Sequence, residues 1–158
     1  MNISIEKAAS QDIPAVIALV REFAEYEDLL DYCEITEAKL AEVIFGPMGY
    51  VRCMVARDGD NCVGYAIYYP NFASFRGQCG LYLEDIYVTQ SFRGQGIGDE
   101  ILKAIAREGK AEGFERIDFQ VLDWNETAIG FYFKHGAQRD DEERHFKFVD
   151  EAFEKLAS

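Results

Sequence analysis

The sequence predicts an α/β fold in which at least part of the sheet is antiparallel. Three observations lead there. Some stretches alternate apolar and polar residues, while others repeat apolar residues at helical spacing. Two apolar runs, 51–57 and 63–69, flank Asp58-Gly59-Asp60-Asn61, a strong hairpin-turn signal. A third run, 81–88, leads into a glycine-rich turn and then directly into a helical pattern. The order β-α-α-β-β-β-α-β-α-β follows, which is not the strict alternation of a parallel sheet. A chain of 158 residues can bury roughly 70% of its unfolded surface as one domain, 1–158, without disulfide or metal support.

Each element has its own warrant. Ile3 and Ile5 alternate with polar neighbours as a first strand. Asp12 followed by Pro14 marks a helix start, and Ile13, Val16, Ile17, Val20 and Phe23 form its apolar face. That helix ends in acidic residues that include Glu25 and Glu27. Thr36 can cap a short second helix carrying Leu40, Val43 and Ile44, which stops at Gly46-Pro47. Residues 71–79 show little apolar periodicity and read as a loop. In a regular strand over 81–88, Glu84 and Asp85 point to opposite faces; a bulge would change that. Ile97, Ile101, Leu102 and Ile105 line a helix that ends near Gly113. Ile117, Phe119 and Val121 form a further strand. A short helix carries Ile129, Tyr132 and Phe133 and closes at Gly136, and Phe146 with Phe148 suggest a last strand.

Composition narrows the function. The formal charge of −13 repels phosphates, which argues against nucleic-acid and anionic-membrane partners and favours cationic small molecules. No apolar run approaches the ~20 residues of a membrane span. The N-terminus lacks the basic start and apolar stretch of a signal peptide, so the reading is a cytoplasmic protein. The cysteines at 33, 53, 62 and 79 form no C-x-x-C, and His135 and His145 lie far from them. No metal site is expected, and the thiols read as reduced packing residues.

The turn at Gly94, Gly96 and Gly98 carries the most chemistry. Missing side chains admit a ligand close to the backbone, and the unpaired N–H groups of the following helix face an anion such as a pyrophosphate. The dinucleotide fingerprint G-x-G-x-x-G does not fit, and neither does a P-loop, because no Gly-Lys-Ser/Thr follows.

The run Arg93-Gly94-Gln95-Gly96-Ile97-Gly98 resembles the Q/R-x-x-G-x-G/A signature of the GNAT acetyltransferase superfamily. Leu83-Glu84-Asp85-Ile86-Tyr87-Val88 and Trp124-Asn125-Glu126, with Phe131-Tyr132 and Gly136-Ala137 after it, are similar to the diamine (spermidine/spermine) and thialysine branch. The resemblance spans nearly the whole chain. It implies a GNAT fold, a mixed, mostly antiparallel twisted sheet flanked by helices, with acetyl-CoA as cosubstrate. It also implies direct acetyl transfer to a primary amine in a ternary complex, and a homodimer with substrate sites near the subunit interface. The loop residues Arg93, Gly94, Gln95, Gly96, Ile97 and Gly98 would then hold the pyrophosphate. The backbones of Ile86 and Val88 would pair with the pantetheine amides. Asn125 would bind the pantetheine arm or cap its helix. Lys103 and Arg107 read as ordinary surface charge rather than phosphate ligands, and Trp124 as a packing residue.

The chemistry sets its own demands. An alkylammonium with a pKa of about 10.4 is a neutral nucleophile about once in a thousand molecules near neutrality, a handicap of ~4 kcal/mol. Glu84 is the candidate proton acceptor or amine-positioning carboxylate, and Asp85 and Glu27 are candidate binders of positive charge. Tyr132 is the general acid that the resemblance implies for the departing thiolate. Polyamine-acetylating relatives carry an aromatic residue near the position of Arg76, where this chain reads Phe75-Arg76-Gly77. An arginine there repels a polycation and can pair with an α-carboxylate, so thialysine-like amino acids stand beside diamines as substrates. Two alternatives remain: a peptide or protein N-acetyltransferase, and a non-catalytic CoA-binding regulatory module.

Overall fold

A computed structural model describes residues 2–158. The chain divides into two compact units, one running to Gln120 and the other Val121–Ser158. The first unit holds β1 (Ile3–Lys7), α1 (Ile13–Tyr26), α2 (Glu37–Phe45), β2 (Arg52–Asp58), β3 (Asn61–Ala73), β4 (Gln78–Val88), α3 (Ile97–Ala111) and β5 (Arg116–Phe119). Its strands form one sheet in the order β1-β2-β3-β4-β5. The first three pairings are antiparallel and β4–β5 is parallel.

Alternation along the strands divides the apolar side chains between two faces. On one face Cys53, Val55, Tyr65, Ile67 and Tyr87 meet Ile13, Val16 and Ile17 of α1 and Leu40 of α2 in a single buried cluster. On the other, α3 buries Ile101 and Ile105 completely. Each such side chain contributes roughly 1.5–3 kcal/mol when fully buried. Local signals start the helices where the sequence predicts. Pro14 sits in the first turn of α1. The buried Asp12 just before it accepts from the Ala9 N–H at 2.7 Å and pairs with Arg57. The Thr36 hydroxyl caps α2 by accepting from Lys39 N at 3.1 Å.

The expected loop over 71–79 is mostly strand. Asn71 pairs with Gly80, Phe72 with Cys79 and Ala73 with Gln78, which leaves only 74–77 as a turn. Pro70 hides this extension in the sequence. It is tolerated because the β2–β3 ladder ends at Arg52 and Tyr68, so β3 has lost its neighbour on that side.

The second unit contains α4 (Glu126–Lys134) and α5 (Asp150–Ala157). The strand expected at Phe146 and Phe148 is not formed: among the described residues 138–149 join no ladder, and both rings are exposed. A strand depends on a neighbour, which alternation alone does not supply. No described helix is long and apolar enough to cross a membrane. The four cysteines are unbridged.

Candidate active site

A bulge in β4 decides where the two adjacent carboxylates go. Ile67 faces Asp85 and Tyr68 faces Leu83, so Glu84 is the extra residue between them. A regular strand would send Glu84 and Asp85 to opposite faces. Instead the Tyr69 hydroxyl donates to Glu84 Oε2 at 3.2 Å and the Tyr65 hydroxyl donates to Asp85 Oδ2 at 3.0 Å. Tyr65 and Tyr69 lie on the same face of β3, so both carboxylates share the side covered by α1 and α2.

The electrostatics follow from that convergence. Burial pushes the Asp85 carboxyl up to about 6; Glu84 and Glu27 push the same way, and the Tyr65 hydrogen bond opposes them. Glu27, which closes α1, is itself raised by burial. Burial, with the adjacent Glu84, lifts the Tyr69 phenol to about 12; burial and Asp85 raise Tyr65 well above its ordinary value. Both phenols therefore remain protonated donors. Glu27, Glu84 and Asp85, the three carboxylates singled out in the sequence, come together electrostatically.

Beyond the bulge the sheet opens. The β4–β5 ladder runs from Gly80–Arg116 to Leu83–Phe119 and stops, so residues 85–88 pair only with β3. Thr89 N donates to Val63 O of β3 at 3.0 Å. Alternation then turns the N–H and C=O groups of Val88 and Ile86 to the opposite, open edge. The Val88 carbonyl on that edge accepts from Arg93 Nε at 2.9 Å.

The glycine turn lies at the end of this edge. Gly94 and Gly96 adopt left-handed conformations, φ 75° and 79°, which disfavour any other residue. A methyl group added at Gly94 would meet nothing within 4 Å, so the space before the backbone is open. Gly96 is the N-cap of α3 and supplies no side-chain cap. This arrangement suits a phosphate-bearing ligand held by backbone N–H groups. The Ile97 side chain is buried in the core, leaving only its backbone for such a ligand. Gly98 lies in the first turn of α3, and Gln95 is exposed in the loop. Arg93 is fixed from behind: its guanidinium stacks 4.6 Å from the Tyr26 ring centroid and 5.0 Å from that of Tyr87. Tyr87 in turn donates to Glu22 Oε1 at 2.9 Å. Lys103 pairs with Glu100 at 2.9 Å on the surface.

In the second unit, Asn125 is buried, and its Oδ1 accepts from Ala128 N at 3.2 Å, making it the N-cap of α4. Of the two uses expected for this residue, capping is the one observed. Tyr132 lies buried on α4 with its ring edge-on to Phe131, centroids 5.1 Å apart. Trp124 is 55% exposed, against the expectation that it packs.

The chain from 16 to 137 matches the model of the acetyltransferase (GNAT) family. This chain belongs to the GNAT acetyltransferase family. It is 37% identical to the thialysine N-epsilon-acetyltransferase of Bos taurus, over 98% of this chain and 97% of that protein. It is 36% identical to spermidine/spermine N(1)-acetyltransferase-like protein 1 of Homo sapiens, over 84% of this chain and 20% of that protein. Among solved structures, an integron cassette protein from the mobile metagenome of V. cholerae superposes with a TM-score of 0.83. It is 25% identical, over 99% of this chain and 98% of that one. An aminoglycoside acetyltransferase from a soil metagenome superposes at 0.79 with 21% identity, over 94% and 97%. The chain is an acyltransferase with the GNAT fold, and its GNAT relatives are named N-acetyltransferases.

Two points go beyond the sequence reading. Tyr65, Tyr69, Glu22, Tyr26 and Tyr87 position the carboxylates and Arg93, a role the sequence reading gave to none of them; these contacts become visible only in the folded chain. Arg76 sits in the turn of the β3–β4 hairpin, beyond Gln78. Gln78 and Glu84 are six residues apart, about 20 Å along a strand. Within one chain, Arg76 therefore stands well away from Glu84 along the strand.

Proposed function

We propose that residues 1–158 work as one cytoplasmic, acetyl-CoA-dependent N-acetyltransferase domain, acting as a homodimer on a primary amine of a small cationic substrate. The observation that carries this reading is the bulge that turns Glu84 and Asp85 to one face beside an open strand edge. Acetyl-CoA supplies the acetyl group as a thioester. The loop 93–98 fits its pyrophosphate, and the backbones of Ile86 and Val88 fit the amides of its pantetheine arm.

Within a ternary complex, Glu84 positions the ammonium and takes its proton through water, with Tyr69 orienting one carboxylate oxygen. Asp85 and Glu27 hold positive charge close by. Their mutual repulsion is relieved when a cation enters, which favours a charged amine over a neutral one. Tyr132 serves as the proton donor to the departing thiolate. Diamines and thialysine-like amino acids are the leading substrates. The similarity to a named thialysine acetyltransferase over nearly the whole of both chains supports the second, and the likeness to a spermidine/spermine acetyltransferase-like protein supports the first.

A thiol-release assay with diamines, polyamines, thialysine, lysine and peptides tests this reading. Turnover with small cationic amines is the expected result. Turnover with peptides alone would favour a protein acetyltransferase. Coenzyme A binding with no turnover on any amine would overturn the catalytic reading.

A further inference from the structure

The face that carries Glu84 continues past the bulge as a row of tyrosines, of which only Tyr69, through its bond to Glu84, has a task in the proposed acetyl transfer. Tyr69 and Tyr82 are cross-strand partners, and their rings stack with centroids 5.4 Å apart and planes inclined by 27°. Tyr50, just before β2, meets Tyr69 edge-on at 6.0 Å and 78° and is 64% exposed. Tyr69 and Tyr82 are neither fully buried nor fully exposed. Through the Tyr69 hydroxyl the row is bonded directly to the carboxylate at its head.

Packing alone does not require this arrangement. A core site would bury the rings, and an ordinary surface would carry polar side chains rather than three adjoining aromatics. A carboxylate followed by π faces attracts positive charge twice, first as an ion and then through the ring quadrupoles. Tyr82 lies two residues from Glu84, about 7 Å along the strand, comparable to the separation of the two nitrogens in a short aliphatic diamine. Beside Tyr82, its cross-strand partner Asp118 is already matched: Arg116 pairs with it at 2.7 Å, and Asn71 Nδ2 donates to Asp118 Oδ2 at 3.2 Å. With that carboxylate taken up by Arg116, the rings are the feature there that can hold a second cation.

We infer that Tyr50, Tyr69 and Tyr82 form the subsite for the non-reacting end of the amine, holding its carbon chain and distal ammonium on their faces while Glu84 takes the reacting nitrogen. This rests on the amine acetyltransferase reading above and adds to it a preference for diamines over monoamines of equal length.

The test compares kcat/KM for an aliphatic diamine with that for the monoamine of the same chain length, in the wild type, Tyr82→Leu and Tyr82→Phe. The ratio of the two cancels any loss of folded protein. The wild type should prefer the diamine. The ratio should fall about 5–10-fold in Tyr82→Leu, as expected for losing a cation–π contact, and stay near the wild-type value in Tyr82→Phe, which keeps the ring. An unchanged ratio in Tyr82→Leu, or no diamine preference in the wild type, overturns the subsite. Coenzyme A calorimetry on the same samples separates this from failure of the wider reading, in which the protein binds coenzyme A but acetylates neither amine.

Discussion

The Tyr65 hydroxyl donates to Asp85 Oδ2 at 3.0 Å from a side chain that is itself fully buried. One phenol is a small return for a carboxylate taken out of water beside Glu84 and Glu27, and the Asp85 acidity of about 6 records the imbalance. The folded state keeps a proton that the unfolded chain has already released between about pH 4 and 6. Stability therefore falls as pH rises through that window, by an amount on the order of 3 kcal/mol for a shift of about two units. Asp85→Asn mimics the protonated form. It should unfold at higher urea than the wild type at pH 7–8, with the gap closing below about pH 4. Urea midpoints measured across this range check it, and a gap independent of pH would contradict the assignment.

Glu84→Gln keeps the shape of the side chain and an acceptor for Tyr69 while removing the charge. Amine turnover should fall about a hundredfold or more, and the pH dependence of kcat/KM should change. Steady-state rates from pH 6 to 10 give the answer. A profile of unaltered shape would remove Glu84 from proton transfer.

Tyr132→Phe removes only an oxygen from the buried face of α4. Turnover should drop about a hundredfold, with coenzyme A affinity within about threefold of the wild type. Parallel kinetics and calorimetry separate the two effects. Equal losses in both would point to a binding role instead.

Thr36→Ala removes the oxygen that caps α2. The loss should be about 1 kcal/mol, or roughly 2–4 °C in Tm, without a change in the KM for either substrate. Thermal unfolding followed by circular dichroism measures it.

Helix starts and the hairpin at Asp58–Asn61 were legible because single residues encode them: Pro14, Thr36, Gly59 and Gly96 act locally. The bulge was not, because a shift of register depends on both strands and Glu84 carries no local mark of it. The extension of β3 and β4 across 71–80 was masked by Pro70 and Gly77, whose usual meaning is a turn. At the other end of the chain, alternation at Phe146 and Phe148 suggested a strand that finds no ladder among the described residues. α5 went unforeseen because Phe153 and Leu156 are too few to establish a helical period. The candidate site was therefore legible as a set of residues, whereas its geometry depended on long-range pairing.

The early end of β5 also sets how individual amides trade hydrogen with solvent. Asp85 and Tyr87 turn their N–H groups into the ladder with β3, whereas Ile86 and Val88 turn theirs to the side that β5 has left. Along these four consecutive residues, deuterium uptake should alternate between slow and fast, a comb of protection inside one strand. If coenzyme A lies along that margin as proposed, its binding should slow exchange at Ile86 and Val88 and fill in the missing teeth.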